Sequence, residues 1–402
     1  MLNSEFDELK DWMFGSLNNL LSNIESNPNY EIIKMTVGEP TLGPPKFIGK
    51  ELEKSFSDWG KYPPTEAIPI LKKSIKGYLE RRFKYSNNIV DENTNILPVP
   101  GTREPLHLVG LIAKNKNIKK NIGIVTNPFY HAWRLGAIQS SSNIYWINAQ
   151  KKNNYNPDIK TIPKNILEST SIMYLCFPSN PQGAIADTHY LMNAITLARK
   201  YDFILVIDEC YIDIIRLNKP KPLGALDVLV KMKSNLDNII IVNSLSKRSS
   251  VPGLRAGFIV GDKKIIDIYK LLVSNGASPV PVPIQKVAAT LYSDEEHNFF
   301  AREHYDRNFQ IAEKFLKKFY PNFKIPDAGF YLWLPVKDDI KTTQVLWKEF
   351  SLRVMPGTFM GKEINGINPG KDYLRLALVD SQNIVLEAMK RLTDYLKKTN
   401  YE

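Results

Sequence analysis

Three short apolar runs in this chain end in side chains that could do chemistry together. Ile172–Phe177 runs into Pro178-Ser179-Asn180-Pro181-Gln182-Gly183, and Phe203–Ile207 runs into Asp208-Glu209-Cys210-Tyr211. Ile239–Val242 runs into Asn243-Ser244-Leu245-Ser246-Lys247-Arg248. The three ends offer an amide, a carboxylate with a phenol, and an amine among hydroxyls. An amine can condense with a carbonyl and carry a proton, which the other groups could direct. Gly101-Thr102-Arg103 stands before the helical pattern Glu104–Lys114, so its amides would form a helix N-terminus aimed at an anion. Arg375 lies in the apolar stretch Tyr373–Val379, where a guanidinium is costly unless paired. A ligand carboxylate held through two parallel hydrogen bonds would satisfy it, and so would a structural salt bridge.

The elements needed to bring these residues together follow from the apolar runs. Ile122–Thr126 and the three runs above are short, rich in β-branched and aromatic residues, and bounded by polar or turn residues. They read as strands buried on both faces, hence a parallel sheet covered by crossover helices. Ligands of such sheets sit beyond the carboxyl ends of the strands, where the reactive residues stand. After about residue 275 the pattern changes. Helical stretches over Pro283–Tyr292 and Glu296–Phe319 precede strand-like pieces at Gly329–Leu334, Leu352–Met355 and Tyr373–Val379, and a last helix covers about 381–398. The first 25 residues read as an amphipathic helical arm on Phe6, Leu9, Met13, Leu17, Leu20 and Ile24. The expected division is an arm with part of a small domain over 1–49, a large domain over 50–275, and a small α+β domain over 276–402.

Composition removes other classes. The 402 residues are 43% hydrophobic and 24% charged, values that exclude wholesale disorder. The formal charge of +11 is spread along the chain in short groups such as Lys119-Lys120, so a solvated lysine-rich face is expected and nucleic acid is not. Cys176 and Cys210 are too few for a disulfide framework, and the five histidines show no metal-ligand spacing. The opening MLNSEFDELKDWMFGSL lacks the basic head and apolar stretch of a signal peptide, and no run approaches the roughly 20 apolar residues that span a bilayer. No membrane partner is expected, and a cytoplasmic location is.

With those motifs in hand, the chain resembles the pyridoxal-phosphate-dependent aminotransferases of class I/II, fold type I. The resemblance rests on Pro178-Ser179-Asn180-Pro181-Gln182-Gly183, Asp208-Glu209-Cys210-Tyr211 and Ser244–Phe258, and extends from about Gly38 to Val379. It implies a large domain with a mainly parallel seven-stranded sheet between helices, a smaller α+β domain, and pyridoxal 5′-phosphate as cofactor. It implies that Lys247 carries the cofactor and shuttles the proton, that Asp208 faces the pyridine nitrogen, and that Asn180 and Tyr211 bond the 3′-oxygen. Tyr130 would stack on the ring. Gly101, Thr102, Arg103, Ser244, Ser246 and Arg255 would hold the phosphate, with Tyr62 donated from a neighbouring subunit of a homodimer. Arg375 and Gly38 would take the substrate α-carboxylate. One departure stands near Tyr62: the family usually has a glycine where this chain has Ala67.

Lys247–Arg255, Gly101-Thr102-Arg103-Glu104, Asn127-Pro128-Phe129-Tyr130 and Val354–Phe359 with Asn368-Pro369-Gly370 resemble the bacterial N-succinyldiaminopimelate aminotransferases of lysine biosynthesis. The implied reaction passes an amino group between glutamate and N-succinyl-2-amino-6-oxopimelate, so the partners are small amino and oxo acids. Arg103, Arg134 and Arg248 are candidates for the cation that reads the distal carboxylate. An aspartate, aromatic or methionine aminotransferase, or a C–S β-lyase of the same fold, would keep Lys247, Asp208 and Arg375 and change the pocket.

Overall fold

A computed structural model describes residues 12–399, apart from 84–88, 115–118 and 142, together with residues 7, 9 and 10. Its strands are β1 (Ile33–Lys34), β2 (Ile96–Val99), β3 (Ile122–Asn127), β4 (Asn143–Asn148), β5 (Thr170–Cys176) and β6 (Ile204–Asp208), then β7 (Ile239–Ser244), β8 (Gly257–Gly261), β9 (Tyr331–Pro335), β10 (Leu352–Arg353), β11 (Met355–Pro356) and β12 (Tyr373–Ala377). Seven of them form one sheet in the order β2-β8-β7-β6-β5-β3-β4. All are parallel except β8, which runs against both neighbours. The cause is its connection. Residues 245–256 between β7 and β8 hold only the four-residue helix Leu245–Arg248 and the turn Pro252–Leu254, with no helix long enough to carry the chain back along the sheet for a parallel return.

Successive side chains of the central strands go to opposite faces and enter two separate cores. Met173, Leu175, Leu205, Ile207, Ile239 and Ile241 pack on one face with Tyr78, Leu191 and Leu245. Ile172, Tyr174, Val206, Ile240 and Val242 pack on the other with Trp133, Tyr211 and Phe330. Burial on both faces is why these strands read as unbroken apolar runs.

A third core joins Ile33 and Met35 to Phe309, Leu334, Leu352, Leu376 and Leu392. Helix Val282–Ser293 packs on the large sheet through Val287 and Leu291. The change of core therefore falls inside the long helix Glu296–Leu316, between Tyr305 and Phe309.

Two details differ from the sequence reading. The stretch Leu352–Met355 is not one strand, because Leu352–Arg353 pairs with β1 and Met355–Pro356 with β12. The arm is helical over Met13–Leu21, with Leu17 and Leu21 packed on Trp333, Met355 and Met360, while Phe6 lies outside the described residues. Ala67 has φ +65°, so it holds the left-handed turn that a glycine would favour. Among the described residues, no helix is long and apolar enough to cross a membrane.

Candidate active site

Register puts the three reactive strand ends side by side. Cys176 of β5 pairs with Asp208 of β6, and Asp208 pairs with Val242 of β7. The chain then passes into the Asn180 turn, the 209–213 turn and the short helix Leu245–Arg248. Lys247 points back over these ends. Its Nζ donates to the Gly38 carbonyl and stands 5.7 Å from the centre of the Phe330 ring. Gly38 has to lack a side chain, since a Cβ there would stand 1.7 Å from Tyr331 Oη.

Asp208 is buried and accepts from Trp133 Nε1 at 3.1 Å and from the Cys210 amide at 3.1 Å. Burial pushes its carboxyl above the usual carboxylate range, despite those two donors and the Cys210 thiol. A cationic N–H partner at this place would hold it ionised. Tyr211 Oη lies 3.3 Å from Tyr331 Oη, and burial raises its phenol well above the ordinary value. Tyr130 opens the helix His131–Ser140, with its ring edge-on to Trp133 at 5.8 Å and its hydroxyl accepting from Arg103 Nε at 3.4 Å.

The residues expected to hold an anion gather around the start of the helix Arg103–Ala113. Gly101 has φ +77°, and a Cβ there would lie 2.2 Å from Arg255 Nη2. The Thr102 hydroxyl accepts from Cys210 Sγ at 3.3 Å. Ser244 Oγ accepts from the Ser246 amide at 3.1 Å and donates to Ser246 Oγ at 3.0 Å. Arg255, itself at φ +55°, donates to the Pro252 carbonyl at 2.8 Å. Arg103 and Arg255 share a cavity of about 540 Å³ with Arg134, His107, His131 and the arm residue Trp12.

Arg375 is 2% exposed. It donates to the Thr36 carbonyl at 2.7 Å and to Asn180 Oδ1 at 3.2 Å, with Tyr331 beneath it at 4.7 Å. Its Nε has no partner among the described residues. No carboxylate pairs with it there, so of the two readings of Arg375 the geometry favours a guanidinium awaiting a ligand.

Not every candidate converges. Tyr62 is fully exposed in this chain. Arg248 turns away from the site. It is 1% exposed and bound to Asp213 Oδ2 at 3.0 Å and Glu295 Oε2 at 2.8 Å, so it is not free to read a substrate carboxylate. A four-residue helix sends neighbours about 100° apart, and Lys247 takes the inward direction. Trp133, Phe330 and Tyr331 belong to the site and carried no motif. The spacing of Trp133 from Tyr130, three residues along a helix, was the one available signal. Among the described residues no three His, Cys, Asp or Glu gather as a metal-ligand set.

Glu209, next to Asp208, faces the core. It accepts from the Ala225 amide at 2.7 Å, and burial pushes its carboxyl up to about 8. A folded value above the ordinary 4.5 means that the protonated form is favoured in the native state. Its contribution to stability is complete below that ordinary value and is lost as pH rises toward about 8. Glu209→Gln keeps the acceptor and removes the titration. The stability of the variant should therefore gain on the parent by up to about 1.4 kcal/mol per pH unit across that window. Thermal midpoints over a pH series check this, and parallel curves would show a carboxylate ionised in the fold.

Residues 30–392 match the family model described as aminotransferase class I and II. Among curated proteins, the LL-diaminopimelate aminotransferase of Dehalococcoides mccartyi strain CBDB1 is 28% identical over 377 residues, 92% of each chain. Among solved structures, an aminotransferase from Neisseria meningitidis superposes with TM-score 0.93 at 30% identity, covering both chains entirely. The aminotransferase AspB of Helicobacter pylori gives 0.87 at 28%, covering 96% of this chain and 98% of that one.

Proposed function

The chain belongs to the class I and II aminotransferases, and we propose that it passes an amino group between glutamate and N-succinyl-2-amino-6-oxopimelate, with Lys247 as its central residue. The family's cofactor is pyridoxal 5′-phosphate, and the donor set fits it. The amides after Gly101, the Ser244 and Ser246 hydroxyls and Arg255 suit a phosphate, Tyr130 suits an aromatic ring, and buried Asp208 suits a protonated ring nitrogen. When bound, the cofactor supplies an aldehyde and a ring that accepts the electrons left at the substrate Cα.

The chain's own residues do the rest. Lys247 Nζ would hold the cofactor, and the same amine would carry the proton to and from Cα. Asp208 would keep its negative charge beside a protonated ring nitrogen, because water cannot compete at a buried strand end. Asn180 and Tyr211 offer hydrogen bonds to the ring oxygen. Arg375, supported by Thr36 and Asn180, orients the α-carboxylate so that Cα faces Lys247.

Dimerisation belongs to the same reading. Phe56, Trp59, Tyr62 and Ile70 are 77%, 51%, 101% and 60% exposed. Large apolar side chains left this exposed within fifteen residues of sequence suit a contact surface. A second copy seated on it would put Tyr62 at its partner's phosphate end.

The observation that carries the substrate class is the cavity beside Arg103 and Arg255, whose lining also includes Arg134, two histidines and a single carboxylate, Glu104, so that three guanidinium groups face one acid. Burial together with Arg103 and Arg134 holds His131 down at about 4, so the guanidinium groups supply its positive charge. A substrate with distal carboxylates would satisfy that lining, and a neutral side chain would not. A second reading, LL-diaminopimelate as the donor, is favoured by the curated relatives, which are LL-diaminopimelate aminotransferases.

A donor panel tests both. Glutamate with the succinylated oxo acid should exceed phenylalanine, methionine and alanine by about 10²-fold or more in kcat/KM. LL-diaminopimelate exceeding glutamate would move the assignment to the second reading. A neutral or aromatic donor equal to glutamate would overturn both, and pyruvate released from cystathionine would mark a lyase.

A further inference from the structure

Behind the catalytic helix lies a second polar cavity of about 270 Å³ that the transamination chemistry does not use. Its cations come from segments far apart in sequence: Arg81 and Arg82 from the helix Pro69–Phe83, Lys221 from the loop after the 209–213 turn, and Arg302 from the helix Glu296–Leu316. Two carboxylates share the wall, Asp213 and Glu295, and both are committed. Asp213 accepts from Arg82 Nε at 3.0 Å on one oxygen, and from Arg248 Nε at 3.0 Å and Tyr78 Oη at 2.7 Å on the other. Glu295 accepts from Arg248 at 2.8 Å and from Arg81 at 3.4 Å.

Four lining cations therefore face two carboxylates that also balance Arg248. Arg302 donates Nε to the Ile215 carbonyl at 3.2 Å, and among the described residues neither Arg302 nor Lys221 has a carboxylate within ion-pair distance. Arg82 is 9% exposed, and its Nη1 has no hydrogen-bond partner among the described residues. Burial pushes the Arg302 guanidinium down and Arg82 adds to it, against the opposite pull of Asp213, Asp306 and Glu295.

We propose that this cavity binds a small oxyanion of two negative charges, of the kind shared by inorganic phosphate and short dicarboxylates, outside the catalytic centre. Guanidinium forks offer paired N–H donors to such oxygens, and two negative charges offset most of the positive excess that Asp213 and Glu295 leave once Arg248 is counted. The site is joined to the reaction through its floor. Asp213 follows Tyr211 by two residues, and Arg248 follows Lys247 directly. An anion that draws Arg81 and Arg82 to itself leaves Asp213 and Glu295 more fully to Arg248, and so tightens the anchor of the helix Leu245–Arg248.

Binding is tested by titration calorimetry on the cofactor-loaded protein, with phosphate in one arm, succinate in another and sodium chloride at equal ionic strength as control. The comparison protein is the Lys221→Ala/Arg302→Ala double variant, which should keep basal turnover in the absence of the oxyanions. We expect saturable binding in at least one oxyanion arm, at least about 10-fold weaker in the double variant, with no saturation by chloride. Saturation in one arm alone names the ligand. Succinate can also enter at Arg375, so only the component lost in the double variant counts. Hydrogen exchange gives a readout independent of turnover: amides of residues 245–249 should slow when the anion is bound to the parent and not to the variant. Equal affinity in parent and variant, or no saturation by either oxyanion, overturns the proposal. Neither result depends on which amino acid the enzyme transaminates.

Discussion

Lys247→Ala should fold, take up pyridoxal phosphate, and transaminate several orders of magnitude more slowly than the parent. Two functions leave with one side chain, the attachment of the cofactor and the carriage of the proton, and an alanine methyl can do neither. Binding should survive because the phosphate end is built elsewhere, from the helix start after Gly101, the paired hydroxyls of Ser244 and Ser246, and Arg255. Borohydride treatment of the parent followed by peptide mapping should put the cofactor-derived mass on Lys247, and a label on another lysine would sink the assignment. The same variant tests whether sites are shared. Mixed with a Tyr62→Ala variant, it should regain activity in the hybrid, because one site of each hybrid then has both native residues. Hybrids without recovery would place Tyr62 with the lysine of its own chain, or outside the site.

Asp208→Asn should lose at least about 10²-fold in turnover while keeping its fold, on the order of 3 kcal/mol of transition-state stabilisation. Asparagine is nearly the same shape, and its single amide oxygen can still accept from the Cys210 amide or from Trp133 Nε1 but not from both, so the fold should hold at the cost of one hydrogen bond. What it lacks is charge. A carboxylate this buried is costly to ionise alone, and the cost is recovered only against a cationic N–H. The loss should appear in kcat with cofactor stoichiometry intact, measured by absorbance and single-turnover kinetics. Near-normal turnover in a fully loaded variant would remove Asp208 from the ring nitrogen.

The parts of the molecule legible in sequence are those whose environment is uniform. β5, β6 and β7 are buried on both faces, so apart from Thr170 and Ser171 at the start of β5 each is apolar until it leaves the core, and the polar residues that follow mark its end. Asn180, Asp208 and Lys247 could be found in this way. Three strands of the large sheet were not read. β2 carries Pro98 and β4 is part-exposed, as edge strands can be, while β8 is five residues closed by glycine at each end.

Sequence alone determined which residue types stand at the strand ends, because local burial writes itself into local composition. Tertiary structure decided what those residues meet. Arg375 reaches Thr36 and Asn180 from β12, and Lys247 reaches the Gly38 carbonyl. Tyr331 closes the space that Gly38 leaves open. Of the adjacent cations Lys247 and Arg248, one turns to the site and the other to Asp213. No periodicity records such choices, because each depends on contacts between segments far apart in the chain, and only the packed cores bring those segments within reach.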